Sequence, residues 1–213
     1  DAGPSLHKTN RKMSSRTILP LTYLGNVQWF AHLLVDDCVI DLGERYLKQS
    51  YRNRTVIAAA NGLQPLTVQV ANANRPRMLM RDVRIDYSKR WQHQHWVSIL
   101  SAYKSSPYFD FYGEEFAPFF ARRYELLMDW DADLCRTAMR ALGIGKELIT
   151  SEKWISADEA ATAFDQDLRG AFSPKPRLAM ADERFTPQPY CQVFADRAPF
   201  APNLSILDLL FCE

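Results

Sequence analysis

No two of the four cysteines are close in sequence, neither sign of charge is in excess, and no apolar run is long. Cys38, Cys135, Cys191 and Cys212 form no C-x-x-C pair, which excludes the usual zinc-finger spacings and a disulfide framework. Four separate buried thiols in a reducing compartment, the cytoplasm, are expected. With 26 Lys+Arg against 25 Asp+Glu the net charge is +1, so no global basic field draws the chain to nucleic acid, and any anion binding must be local. No window approaches the roughly 18 apolar residues of a membrane helix. The longest cluster, WFAHLLV, contains His32, so no membrane insertion is expected.

Several familiar chemistries are absent too. His93 and His95 lie about 200° apart around a helix and cannot share a metal. DWDAD at 129–133 starts like a calcium loop, but Leu134 and Arg140 stand where Gly and Glu are needed. GIGK at 143–146 lacks the first glycine of a phosphate loop, and no G-x-S-x-G occurs. No metal and no cofactor is expected. Residues 1–12 are polar and basic without the apolar centre of a signal peptide, and read as a disordered or extraneous lead to one domain, 13–213.

What is present has a clear order. Residues 16–19, 27–35 and 38–42 read as strand, helix and strand, a β-α-β opening. Runs 55–60 and 65–70 flank Asn61-Gly62, a pair suited to a tight hairpin, and VRID at 83–86 adds a short strand. From Ser88, an expected N-cap, the period changes: Trp91, His95, Ile99 and Tyr103 recur every four residues, one face of a helix. Further helices are expected over 111–130 with Pro118 in a first turn or at a kink, over 132–143 with Asp131 as cap and Gly143 just past the end, and over 157–172. Six prolines between 173 and 203 make that stretch a wrapping segment, with one short strand at CQVFA. Ser205 and Asp208 have the spacing of a capping box for a last apolar helix. The fold class is α/β: a mixed sheet from the N-terminal half, packed with a helical C-terminal half.

The segment YLKQSYRNRTVI, 46–57, carries the densest chemistry. If it is extended, Tyr46, Lys48, Ser50, Arg52 and Arg54 share one face, where guanidinium forks and hydroxyls suit a phosphate or carboxylate. The other reading is a solvated loop whose cations pair with Asp36, Asp37 or Glu44. The loop TYLGN at 22–26, with Tyr23 and Asn26, ends the first strand and opens a helix, the edge where α/β sheets hold ligands. His95 is either a proton carrier or a hydrogen-bonded core histidine.

Taken together, LPLTYLGNVQWFA, K-Q-S-x-R-N-R, the H-x-x-x-I-x-x-x-Y helix running into SPYF, and PNLSILDLLF are similar to the WbqC-like family, most closely its Bacteroidetes-type branch. The resemblance runs from about residue 18 to the C-terminus but is poor over 145–190. It implies an enzyme of bacterial surface-polysaccharide assembly, O-antigen or capsule, that binds an anionic small molecule and transfers a group. A nucleotide sugar or an activated acyl or aminoacyl donor would suit. The residues that fit the pattern are Lys48, Arg52, Asn53, Arg54, His95, Tyr103, Pro202 and Asn203. On this reading Lys48, Ser50, Arg52 and Arg54 hold the anion, His95 is the general base, and Tyr103, Asn53, Tyr23, Asn26 and Asn203 position substrate. The alternative is a non-catalytic protein that holds an anion, an acidic glycan or a partner enzyme with the same patch.

Overall fold

Thr17, Ile18 and Leu19 are inaccessible on both faces, so the first strand must be covered from both sides. In the computed structural model, which describes residues 14–213, this strand is the centre of a parallel sheet. The expected lead at 1–12 lies outside the described residues. Strand β1 (Arg16–Leu19) passes through helix α1 (Val27–Val35) to β2 (Asp37–Asp41), which pairs parallel to it with Arg16 opposite Asp37. Asn26 caps α1, its Oδ1 accepting the Trp29 N–H at 3.0 Å. The β-α-β opening is thus present.

A second pair, β3 (Arg54–Ala59) and β4 (Gly62–Thr67), forms a separate antiparallel hairpin. Its turn is shifted from the expected one: Ala59 pairs with Gly62, so Ala60-Asn61 is the loop and β4 starts earlier, taking in Pro65. Proline is tolerated because this two-stranded sheet has free edges. Gly62 has φ +114°, and a Cβ built there would meet nothing within 4 Å. The difficulty for another residue is therefore backbone conformation alone. Gly62→Val is expected to cost about 1–3 kcal/mol, and Gly62→Ala nearly as much, both read from urea midpoints; unchanged midpoints would remove the turn's claim on glycine.

The remaining strands come late in the chain. After helices α2 (Trp91–Tyr103), α3 (Phe109–Phe116) and α4 (Leu127–Ala141) come β5 (Thr150–Ser151), α5 (Ala157–Ala163), β6 (Gln166–Asp167) and α6 (Ile206–Cys212). The two short strands close the edges of the parallel sheet, whose order is β5-β2-β1-β6. The α/β class and the strand-rich opening before the helices are as read from sequence, but a single mixed sheet is not: the four-stranded sheet is parallel throughout, the antiparallel hairpin stands apart, and the outer strands come from the stretch where the family resemblance is poor.

Several local expectations are corrected. VRID makes only single bridges, Val70 to Ile85 and Arg84 to Leu126, and CQVFA is turn. Ser88 does not cap α2; its N–H is taken by Asp86. The expected helix over 111–130 ends instead in a 3-10 turn at Ala117–Phe120 around Pro118, and α4 begins only at Leu127. Asp131 is therefore no cap but lies mid-helix, in register with buried Leu127, Trp130, Leu134 and Ala138. Helix α5 is shorter than 157–172 because the chain must turn into β6. Ser205 caps α6, accepting from the Leu207 N–H, but Asp208 faces inward and closes no capping box. Cys191 is exposed, unlike the other three cysteines.

The aromatic face of α2 is as the spacing requires, with Trp91, His95, Ile99 and Tyr103 all buried. Trp91 meets Trp130 edge to face at 5.2 Å, and Tyr23 packs on Trp130 at 4.7 Å. This cluster joins the β1–α1 loop to α2 and α4, and so fixes the carboxyl edge of the sheet.

Candidate functional site

Open parallel sheets hold ligands beyond the carboxyl ends of their strands, and here that edge collects buried charge. Asp41 and Asp167, the last residues of β2 and β6, flank β1 on either side. Arg169 spans them. Its Nη1 donates to Asp41 Oδ2 at 2.5 Å, while Nε and Nη2 donate to the two Asp167 oxygens at 2.9 and 2.5 Å. Nη1 also reaches the Ile155 carbonyl at 2.6 Å. Burial opposes ionisation of Asp167, but the Arg169 hydrogen bonds outweigh it and hold the carboxyl below its usual range.

A second ion pair adjoins the first. Arg52 Nε donates to Glu44 Oε1 at 2.7 Å, Nη2 donates to Glu44 Oε2, and Nη2 also meets the Arg169 carbonyl at 3.1 Å. Arg52 and Glu44 are 3% and 6% exposed. Burial pushes the Glu44 carboxyl up despite the guanidinium beside it. The two pairs make one linked network, and Asp167 is its most open member.

The shared face expected for 46–56 does not form. The chain turns through 48–53, with Gln49 at φ 58°, and becomes extended only at Arg54. Alternation requires an extended backbone, so the cations separate. Lys48 points outward and its Nζ donates to Asn74 Oδ1 at 2.9 Å. Ser50 Oγ donates to the Leu47 carbonyl at 2.5 Å, Asn53 Nδ2 to the Val68 carbonyl at 3.1 Å, and Arg54 Nε to Thr67 Oγ1 at 2.9 Å. Arg52 goes inward to Glu44, one of the acidic partners the sequence offered. The TYLGN loop does meet this segment: the Tyr23 N–H donates to the Tyr51 carbonyl at 2.9 Å, and Thr55 Oγ1 to the Leu24 carbonyl at 2.9 Å.

The other sequence candidates are engaged within the fold. His95 Nδ1 lies 3.0 Å from the Tyr23 hydroxyl, and the ring also donates to the Thr67 carbonyl. Burial pushes the imidazole down to about 4, so it is neutral at pH 7 with both nitrogens occupied. The Tyr103 hydroxyl accepts from the Ala58 N–H at 3.1 Å and donates to Asp208 Oδ1 at 2.8 Å. Asp208 gathers two more donors, Tyr190 at 2.6 Å and Gln192 at 2.8 Å. Asn26 is the α1 cap, and Asn203, at φ 59°, clasps Gln28 through both its amide atoms at 2.9 Å. Asn203 also lines a cleft of about 340 Å³ with Tyr190, Phe200 and Val27.

Sequence reasoning missed Asp41, Asp167 and Arg169. Asp41 was visible as a polar residue ending a buried strand; Arg169 lies in a stretch without pattern. It read Asp131 only as a helix cap and missed that it is inaccessible with neither oxygen hydrogen-bonded; among the described residues Thr22 Oγ1, Tyr46 Oη, Asn53 Oδ1 and Gln166 Oε1 are likewise buried without a partner. Burial pushes the Asp131 carboxyl well above its ordinary value. Among the described residues no group of three or more His, Cys, Asp or Glu side chains is placed to hold a metal ion, and no helix is long and apolar enough to cross a membrane.

Comparison with known proteins places this geometry in a wider group. Residues 23–172 match the model of the WbqC-like protein family, a span containing the whole charged network. An uncharacterised protein of Mycobacterium tuberculosis strain H37Rv, Rv1507c, is 26% identical over 197 residues, covering 83% of this chain and 84% of its own length. No solved structure gives a significant match.

Proposed function

Because the chain belongs to the WbqC-like protein family, we propose that it serves bacterial surface-polysaccharide assembly as a transferase for an anionic small molecule, a nucleotide sugar or an activated acyl or aminoacyl donor. The observation that carries this reading is the junction of Asp41, Arg169 and Asp167 across the carboxyl ends of β2, β1 and β6. Ionisable groups held in fixed positions at that edge, Asp41 inaccessible, Arg169 largely covered and Asp167 open, are what substrate orientation requires. On this reading Asp167, the open carboxylate, holds an acceptor hydroxyl or amine. In the transfer the acceptor oxygen or nitrogen bonds to the donor's group as the bond to the donor's nucleotide or thiol breaks, and the acceptor's proton ends on that leaving group or on water.

A second reading, a non-catalytic protein that holds an anion or a glycan, is favoured by the internal engagement of His95 and Tyr103. Thermal shift against nucleotide sugars, acyl thioesters and aminoacyl adenylate analogues tests both. A ligand at a hundred times its Kd stabilises by about 2.7 kcal/mol, which raises Tm by about 5–10 °C in a domain of this size. A panel without any shift ends both readings. A shift without product, when the hit is incubated with sugar acceptors and followed by mass spectrometry, favours the non-catalytic one.

A further inference from the structure

A second set of cations at this edge lies beside the buried network. Segment 78–81 runs antiparallel to the chain leaving β2: the Tyr46 N–H donates to Met78, the Met80 N–H to Glu44 and the Arg81 N–H to Leu42, at 2.8, 2.9 and 3.1 Å. Segment 83–85 is pinned in turn to 125–127, the Ile85 N–H donating to Glu125 and the Leu127 N–H to Val83, at 3.0 and 2.8 Å. Between these walls opens a cleft of about 640 Å³ lined by Arg75, Arg77, Arg81 and Arg84, with Asp82 the one lining carboxylate. Clefts of roughly 300–1,000 Å³ take small-molecule ligands.

The four arginines are not equivalent. Arg84 pairs with Glu125, and Arg81 Nη1 donates to the Glu152 carbonyl at 2.7 Å, just past the end of β5. Arg75 and Arg77 have no side-chain partner among the described residues, and Arg77 holds a left-handed φ of 60°. With Asp82 and Glu125 counted, the lining keeps a formal excess of two positive charges. Met78 and Leu126 supply apolar wall. Several guanidinium forks converging on one cleft suit clustered phosphate oxygens better than a single carboxylate.

We propose that the Arg75–Arg77–Arg81–Arg84 cleft binds the diphosphate diester of a small molecule, whose two negative charges match this excess. The assignment rests on the anionic-ligand reading above for the class of ligand, and on no reaction. The cations are not those expected from sequence: Lys48, Arg52 and Arg54 line no part of this cleft.

Titration calorimetry with inorganic diphosphate and with inorganic phosphate at low salt tests it. Diphosphate is expected to bind at least about tenfold more tightly than phosphate, because it spans two forks. Arg75→Ala and Arg77→Ala should each weaken it about tenfold, with affinity falling steeply as salt is raised. Arg136→Ala, on the outer face of α4, should change nothing. Both loop arginines are exposed, so the variants keep the fold, checked by unchanged melting. If diphosphate binds and the cleft variants bind it equally well, this site is wrong while the anionic-ligand reading stands. If diphosphate does not bind but a member of the ligand panel does, the site is again wrong; if nothing binds, both fail.

Discussion

Arg52→Ala is expected to destabilise the protein by about 3–5 kcal/mol, the scale for removing one member of a buried ion pair. The loss comes less from attraction forgone than from what is left behind. Glu44 would remain 6% exposed with its two guanidinium bonds gone, and burial already pushes its carboxyl up. The Arg169 carbonyl would lose a donor as well. Replacing both members at once, Arg52→Met with Glu44→Leu, should recover most of the loss, because no charge is then stranded. Arg54→Ala, which removes one bond to Thr67, should cost about 1 kcal/mol. Urea unfolding of the four proteins decides the matter. Equal midpoints for wild type and Arg52→Ala would mean that Arg52 is free to leave Glu44 and serve a ligand.

The second large effect is on pH dependence. In the unfolded chain Asp131 ionises near 3.8; in the folded chain burial raises its value well above that. Between those two values the folded state keeps a proton that the unfolded chain has released. Asp131 therefore contributes its full stability below 3.8, and that contribution is lost as pH rises through the folded value, at about 1.4 kcal/mol per pH unit in between. Asp36, Asp167 and Asp182, all held below their usual range, act in the opposite sense, losing stability as pH falls. Asp131→Asn isolates the first effect. It should be close to neutral near pH 4 and increasingly stabilising relative to wild type as pH rises. Stability curves that run parallel from pH 4 to 8 would show that Asp131 finds a partner.

The elements that could be read from sequence are those whose pattern repeats. The four-residue period of α2 named its buried face correctly because helix geometry leaves no other choice for Trp91, His95, Ile99 and Tyr103. Strands β5 and β6, two residues each, are too short for any period and exist only because β1 and β2 offer edges. The same limit governs the site. Alternation from Tyr46 to Arg54 implied a shared face, but the turn at Gln49 is set by packing and not by local pattern. Asp41 and Arg169 are 128 residues apart, and nothing near either one announces the other. The arginines at 75, 77, 81 and 84 are irregularly spaced, and become one cleft only when 78–81 lies along the exit of β2.

The position of β6 has a consequence for how the chain is made. β1 receives its outer partner only when residues 165–168 arrive: the Asp165 N–H donates to Arg16 and the Leu168 N–H to Ile18, at 2.8 and 2.9 Å. At ribosomal speeds of roughly 5–20 residues per second, the strand waits about 7–30 s after it emerges. During that interval the β-α-β unit shows an open edge of Thr, Ile and Leu, which is sticky in the way unpaired strands are. Its long-range pairings also place it among slow folders. Until residues 165–168 arrive, that edge is open to pairing with another chain.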